Sequence, residues 1–290
     1  MDGDLHVGHR SPSLTSNRTL RNLYLDPLLE ALQRQNPVTE YHPTEDSPPH
    51  GVFDTNPDQP LVFLIDFKTS GTELWPHLYS QLSPLRDRGY LTHFDGSKVV
   101  QRAVTIVGTG NAPFDLLATN KTYRDVFFDA PLGIMANLSV PWPNPNRAQD
   151  PTRSYTLPIY PPDTPSNDHS AVVAKREYDL GQGLSGHNAN DPDIFNSTNS
   201  YYASVHFGHS IGRIWGSRLS QPQLQLIRGQ IRGAHQRGLK VRYFGVPIWP
   251  TGLRNHLWHI LIREGVDILN VDDLVGATRR DWRRKKGWWY

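Results

Sequence analysis

An acid and a base stand two residues apart at the end of an apolar run, Leu61-Val-Phe-Leu-Ile-Asp-Phe-Lys-Thr69. A continuous Leu/Val/Phe/Ile run is expected to form a strand buried on both faces, the kind found in parallel sheets covered by helices. Alternation along that strand puts Asp66 and Lys68 on one side. Inside a barrel, at its catalytic rim, they would project together, the carboxylate suited to a metal ion and the ammonium to a phosphate. An ordinary ion pair at a strand end is the competing reading, and these two residues alone do not decide between them.

The elements that must position this pair come from a chain of 290 residues with 37% hydrophobic content, enough for one large α/β domain. That domain is expected over residues 1–276, with 277–290 as a separate tail. Strand-like segments at Leu61–Phe67, Ala103–Gly108, Asp125–Asp129, Tyr201–Phe207, Leu239–Phe244 and Val266–Val271 alternate with helices over Thr72–Arg88, Pro222–Arg237 and Leu253–Glu264. Leu5–Gly8 reads as a short leading strand. Such alternation specifies a parallel sheet. Ser220 is placed to cap one helix, in which Leu224, Ile227, Ile231 and Ala234 recur on one face until Gly238 ends it. Leu253, Leu257, Ile260 and Leu261 repeat the pattern before Gly265. The repeated helix–glycine–strand unit favours a (β/α) barrel, although periodicity alone does not separate a barrel from an open sheet.

The order of segments carries a resemblance. Gly3-Asp-Leu-His-Val-Gly-His9 is followed by Arg18-Thr-Leu-Arg-Asn-Leu-Tyr-Leu-Asp-Pro-Leu28, Leu64-Ile-Asp-Phe-Lys-Thr69, Val104-Thr-Ile-Val-Gly-Thr-Gly110 and Phe127-Phe-Asp-Ala-Pro-Leu132. Tyr202-Ala-Ser-Val205, Arg242-Tyr-Phe-Gly-Val-Pro247 and Gly265-Val-Asp-Ile-Leu-Asn-Val-Asp-Asp-Leu274 complete it. Through nearly its whole length the chain resembles the phospholipase-C-like phosphodiesterase superfamily, and most closely its altered inheritance of mitochondria protein six group. The resemblance implies a (β/α)8 TIM-type barrel, here lacking the first strand and most of the second, because six main strands are counted where a closed barrel has eight. It also implies a His-Ser-His-Asn-Asp-Tyr-like first strand and a Glu-x-Asp metal pair that do not occur before Leu5. An in-frame extension upstream of Met1 is therefore expected to encode them, and the chain as written is expected to be weak or inactive.

Site residues follow from the same resemblance. His9 matches a histidine that acts as general acid or base, with Arg10 where relatives usually carry Asp. An imidazole suits that task because its unperturbed pKa lies near working pH. Asp66 would be a ligand of a divalent cation, Mg²⁺ or Ca²⁺, and Lys68 would face a non-bridging phosphate oxygen. Asp129 is either a site carboxylate or a turn cap. Arg242 and Tyr243 match an Arg-Phe/Tyr-Trp motif, with Phe244 replacing a pocket tryptophan, and Trp249 lines the same mouth or packs in the core. One of Asp272 and Asp273 is expected to cap a helix.

Other signals bound the function. Gly108-Thr-Gly110 looks faintly like part of a phosphate loop but lacks the lysine or third glycine of the established patterns. The absence of cysteine excludes thiol catalysis and disulfides. A net charge of +2 is too mild to argue for nucleic acid. Segments near 34–60 and 138–198, rich in Pro, Asp, Asn and Ser, are expected to be flexible insertions. The tail Arg279–Tyr290 holds six cations and four aromatics, which suits peripheral contact with an anionic membrane as well as a solvated end. No apolar run is long enough to span a bilayer and no signal peptide follows Met1, so the compartment stays open. The leading expectation is a metal-assisted phosphoric diester hydrolase of lipid metabolism, acting on a phospholipid or glycerophosphodiester. Behind it stand a catalytically dead headgroup-binding relative and a barrel glycosidase using carboxylates such as Asp66 and Asp129.

Overall fold

The computed structural model of the chain describes residues 3–9, 11–38, 48–138, 191–216 and 218–279. They form two compact units: the described residues before Ala130 with Asn196–Tyr201, and those at 130–138, 191–195 and 202–279. Both units are α/β with parallel strands, as the alternation implies.

In the first unit, α1 (Asp26–Gln35) precedes β1 (Leu61–Phe67), whose bounds are those read from the sequence. Helices α2 (Gly71–Gln81) and α3 (Ser83–Arg86) replace the single helix expected over Thr72–Arg88. Pro84 supplies no N–H to the ladder and its ring clashes with the carbonyl four residues back, so the helix breaks at Leu82. A hairpin of β2 (His93–Phe94) and β3 (Val99–Val100) leads to β4 (Val104–Gly110), then α4 (Phe114–Thr119) and β5 (Val126–Pro131). β1 pairs in parallel with β4 from Leu61↔Val104 to Phe67↔Gly110, and β4 with β5.

Two expectations are corrected here. Leu61–Ile65 is half-buried rather than buried on both faces, because β1 has one parallel neighbour among the described residues; the doubly covered strands are β4 and β5. Leu5–Gly8 does not join the parallel strands either. It folds back as an antiparallel bridge, His6↔Thr19, with Val7 N donating to Arg18 O at 2.8 Å and Leu20 N to Leu5 O at 2.7 Å. The described part of the 34–60 segment is tied to the end of α1: Asn36 Nδ2 donates to His50 O at 2.9 Å while His50 N donates to Asn36 Oδ1 at 2.7 Å.

The second unit contains the greater part of β6 (Ser200–His206), followed by α5 (Phe207–Ile211), α6 (Gln221–Gln236), β7 (Lys240–Phe244), α7 (Thr251–Glu264), β8 (Ile268–Leu269) and α8 (Leu274–Thr278). α6 opens on a capping box: Ser220 Oγ accepts from Gln223 N while Gln223 Oε1 accepts from Ser220 N at 2.9 Å. Ile227, Ile231 and Ala234 bury its inner face. Gly265, at φ +100°, closes α7 in the left-handed conformation glycine adopts without strain. The final strand is two residues rather than the six expected, and Asp273 caps α8 by accepting from Gly276 N at 2.8 Å. No described helix is long and apolar enough to cross a membrane. Most of the expected insertion at 138–198 and nearly all of the basic tail lie outside the described residues.

Candidate functional site

The polar groups of the first unit collect where β1, β4 and β5 end. Register fixes which of them share a face. Asp66 pairs with Thr109, and in a parallel sheet register partners point the same way, so the two side chains stand side by side. Thr109 Oγ1 donates to Asp129 Oδ2 at 2.8 Å, extending the row one strand further. Asp129 is fully buried, with its carboxylate accepting from the Thr109 hydroxyl.

Lys68 Nζ lies 2.6 Å from Asp66 Oδ2, with the two side chains 55% and 44% exposed. Alternation therefore delivers the pairing expected of it, at the surface and not in a buried rim. Gly110 makes the space for it. At φ +64° this glycine turns the chain out of β4, and a Cβ there would come within 2.3 Å of Asp66 Oδ1 and 2.7 Å of Phe67 O. The next residue holds the strand end, as Asn111 N donates to Phe67 O at 2.8 Å. α2 begins directly above, with Ser70 Oγ accepting from Glu73 N and Gly71 so close to Asn111 O that a Cβ would approach to 1.8 Å. The partial positive charge of that first turn adds to the ammonium of Lys68 in favouring an anion at this end.

His9 is exposed on the bend after the His6–Thr19 bridge, and among the described residues no bond joins it to Asp66 or Lys68. Gly8 lets that bend fold tightly, since a Cβ would meet Ser13 Oγ at 2.6 Å.

A second polar group sits in the second unit. Ser204 pairs with Arg242 and His206 with Phe244, placing all four on one face. Arg242 donates from Nε and Nη2 to Asn270 Oδ1 at 3.1 and 2.5 Å, its guanidinium 5.4 Å from the centre of the Phe244 ring. His206 stacks on His209 with centroids 4.0 Å apart, and its Nδ1 accepts from His209 N. Gly245, at φ +64°, admits the imidazole, because a Cβ would lie 2.3 Å from His206 Nε2. Tyr243 alternates to the other face, where its hydroxyl donates to Gln230 Oε1 at 2.7 Å and burial pushes its pKa up. Trp249 is 77% exposed, which removes the core-packing alternative.

The sequence reading passed over Thr109, His206, His209 and Asn270. Asn270 was within reach, two residues before Asp272 at the end of the expected last strand; Thr109 as partner of Asp129 depends on register, which a single sequence does not supply.

The described residues do not by themselves make a cage for a hard divalent cation. Such an ion takes six or more oxygen ligands, several of them carboxylates or carbonyls. Asp66 offers one carboxylate already engaged by an ammonium, and no group of three or more His, Asp or Glu with ligand geometry occurs among the described residues.

Gly110 offers a direct check on this geometry. Gly110→Ala is expected to cost about 1–2 kcal/mol from the left-handed backbone alone, and to displace the Asp66 carboxylate. Chemical denaturation gives the first effect, and a crystal structure of the variant the second; an unchanged midpoint with Asp66 still 2.6 Å from Lys68 would contradict it.

Comparison with known proteins supplies the lineage. Residues 1–129 match the AIM6-like phosphodiesterase domain. The altered inheritance of mitochondria protein 6 homolog of Arthroderma benhamiae is 33% identical over 279 residues, covering 94% of this chain and 69% of that protein. The altered inheritance of mitochondria protein 6 of Eremothecium gossypii is 29% identical over 281 residues, covering 95% and 59%. That of Zygosaccharomyces rouxii is 30% identical over 276 residues, covering 93% and 56%. The chain thus spans little more than half the length of these last two relatives. No solved structure matches it at a significant level. On the strength of these relatives, whose matches run through nearly the whole chain and agree with one another, the protein belongs to the altered inheritance of mitochondria protein 6 family.

Proposed function

We propose that the protein is a phosphoric diester hydrolase that acts on a phospholipid or glycerophosphodiester. The observation that carries the reading is the Asp66–Lys68 pair, held over Gly110 at the end of β1. In this reading the parallel strands belong to a single TIM-type barrel, and the tail Arg279–Tyr290 gives peripheral contact with anionic membranes. The match of residues 1–129 to a phosphodiesterase domain supports the reaction class.

Lys68 stabilises the charge that builds on a non-bridging oxygen as phosphorus is attacked by water or by a hydroxyl of the substrate. Asp66 orients the Lys68 ammonium through their ion pair. His9, in its protonated form, gives its proton to the departing alkoxide as the phosphorus–oxygen bond breaks, and recovers one from the attacking hydroxyl. Water as nucleophile yields a phosphomonoester; a substrate hydroxyl yields a cyclic phosphate. Mg²⁺ or Ca²⁺, if bound, would be held by Asp66 together with oxygen donors outside the described residues, and would neutralise charge on the phosphate.

The roles separate by mutation. Where oxygen donors outside the described residues complete a cation site, Asp66→Asn is expected to weaken divalent-cation binding in calorimetric titration, whereas His9→Ala lowers turnover by about 10²-fold or more and leaves that titration unchanged. Undiminished turnover in both variants would remove these residues from the mechanism. Binding of a diester without any turnover in the parent chain would move it to the headgroup-binding class.

A further inference from the structure

The second unit exposes three large apolar side chains on two loops. Trp215 is 78% exposed, Ile248 70% and Trp249 77%. One loop follows α5 and the other follows β7. The two loops border one open pocket of about 360 Å³, lined by Gly216 and Pro250, the chain neighbours of the two tryptophans, together with Arg218, Gly252, Leu253 and His256. Monomeric proteins rarely leave apolar side chains of this size clustered in water without a partner for them.

The first loop is built to hold its indole out. Trp215 and Arg218 form an antiparallel bridge, with Arg218 N donating to Trp215 O at 3.2 Å. Gln223, at the start of α6, donates to Ile211 O at 3.0 Å and Arg213 O at 2.9 Å, anchoring the chain on the near side of Trp215. The second loop runs directly into α7, where Arg254 N donates to Pro250 O at 3.0 Å. Neither tryptophan owes its position to packing of its own ring in the core.

Charge selects the occupant. Arg213 and Arg218 are exposed beside Trp215, and neither loop, 212–219 or 245–252, contains an aspartate or glutamate. Indole rings favour the headgroup layer of a bilayer, and each cation near an anionic lipid surface adds attraction that salt screens. An acid-free pair of loops presenting two indoles, an isoleucine and two guanidiniums fits that layer on both counts. We infer that the surface formed by Trp215, Ile248 and Trp249, rimmed by Arg213 and Arg218, docks the protein on anionic phospholipid membranes. This surface is distinct from the tail beyond Arg279 and does not depend on the protein's being a hydrolase.

Sedimentation of the full chain with vesicles tests it. The parent protein is expected to pellet with mixed phosphatidylcholine–phosphatidylserine vesicles, less so as salt rises. Trp215→Ala combined with Ile248→Ala, which alters two exposed side chains and leaves the tail intact, is expected to lower that partition about tenfold or more, with an unchanged circular dichroism spectrum. Arg213→Gln with Arg218→Gln is expected to weaken binding to the mixed vesicles and not to phosphatidylcholine alone. Equal partition of parent and Trp215/Ile248 variant would overturn the inference, as would failure of the parent to pellet. Self-association in analytical ultracentrifugation that the same variant abolishes, without vesicle binding, would assign the surface to a second copy of the chain and overturn it too. Hydrolysis of a soluble diester, measured in parallel, reports on the preceding reading and not on this one.

Discussion

Replacing Lys68 by methionine is expected to slow diester cleavage by about 10²- to 10³-fold, the usual loss when one donor to a developing oxyanion is removed. The same change is expected to leave the unfolding midpoint almost where it was. The two expectations differ because the pair is at the surface: with side chains 55% and 44% exposed, the Lys68–Asp66 contact contributes only about 0–1 kcal/mol to folding. Lys68→Arg keeps the charge but spreads it over a larger planar group, so it is expected to recover part of the rate. A Lys68→Met protein that cleaves at the parent rate would show that this ammonium does not meet the phosphate. One that unfolds much more easily would show that the pair serves the fold.

The largest effect on stability is expected far from that pair. Arg86 Nε lies 2.5 Å from Asp125 Oδ2 and its Nη2 3.3 Å from Oδ1, with the Asp125 side chain only 1% exposed and that of Arg86 16%. Burial alone would pull the Arg86 pKa down; the hydrogen bond and charge of Asp125 outweigh it and hold the value above normal. The guanidinium also sits 3.8 Å from the centre of the Tyr79 ring and donates to Tyr79 O at 3.0 Å. Tyr123, whose hydroxyl faces Asp125, is pushed up to about 12 by burial and by the neighbouring carboxylate. The cluster thus ties α2 and α3 to the residue that leads into β5. Asp125→Ala strands a buried cation and is expected to cost about 3–5 kcal/mol, read from the denaturant midpoint. Replacing both partners, Arg86→Met with Asp125→Leu, is expected to recover most of that loss, since it removes the charge together with its need for a partner. A single variant costing under about 1 kcal/mol would mean that water reaches the site.

How far the sequence could be read depended on the range of the interaction involved. The bounds of β1, the capping of α6 by Ser220 and the left-handed Gly265 come from local rules, and each is met by the fold. The Asp66–Lys68 pairing was legible for the same reason, since strand alternation is local. What failed needed knowledge of neighbours. An apolar run does not reveal whether one or two strands will flank it, so β1 read as fully covered when it is half-buried. The Thr109–Asp129 bond and the seat of His206 against Gly245 depend on register and on a backbone turn after the strand, neither of which the residue pattern encodes. Tyr243 and Arg242 share one motif by resemblance, yet adjacency in a strand puts them on opposite faces.

The central claim is that the Asp66–Lys68 end of the first unit handles a phosphodiester. Phosphorus NMR of the purified chain mixed with a glycerophosphodiester measures this most directly, because one spectrum reports both contact with the phosphate and its cleavage. The account predicts a new phosphomonoester or cyclic phosphate resonance that grows with time in the parent protein and is nearly lost in Lys68→Met. An unperturbed diester resonance with no product, with and without Mg²⁺ or Ca²⁺, or equal product from the parent and Lys68→Met, would contradict it.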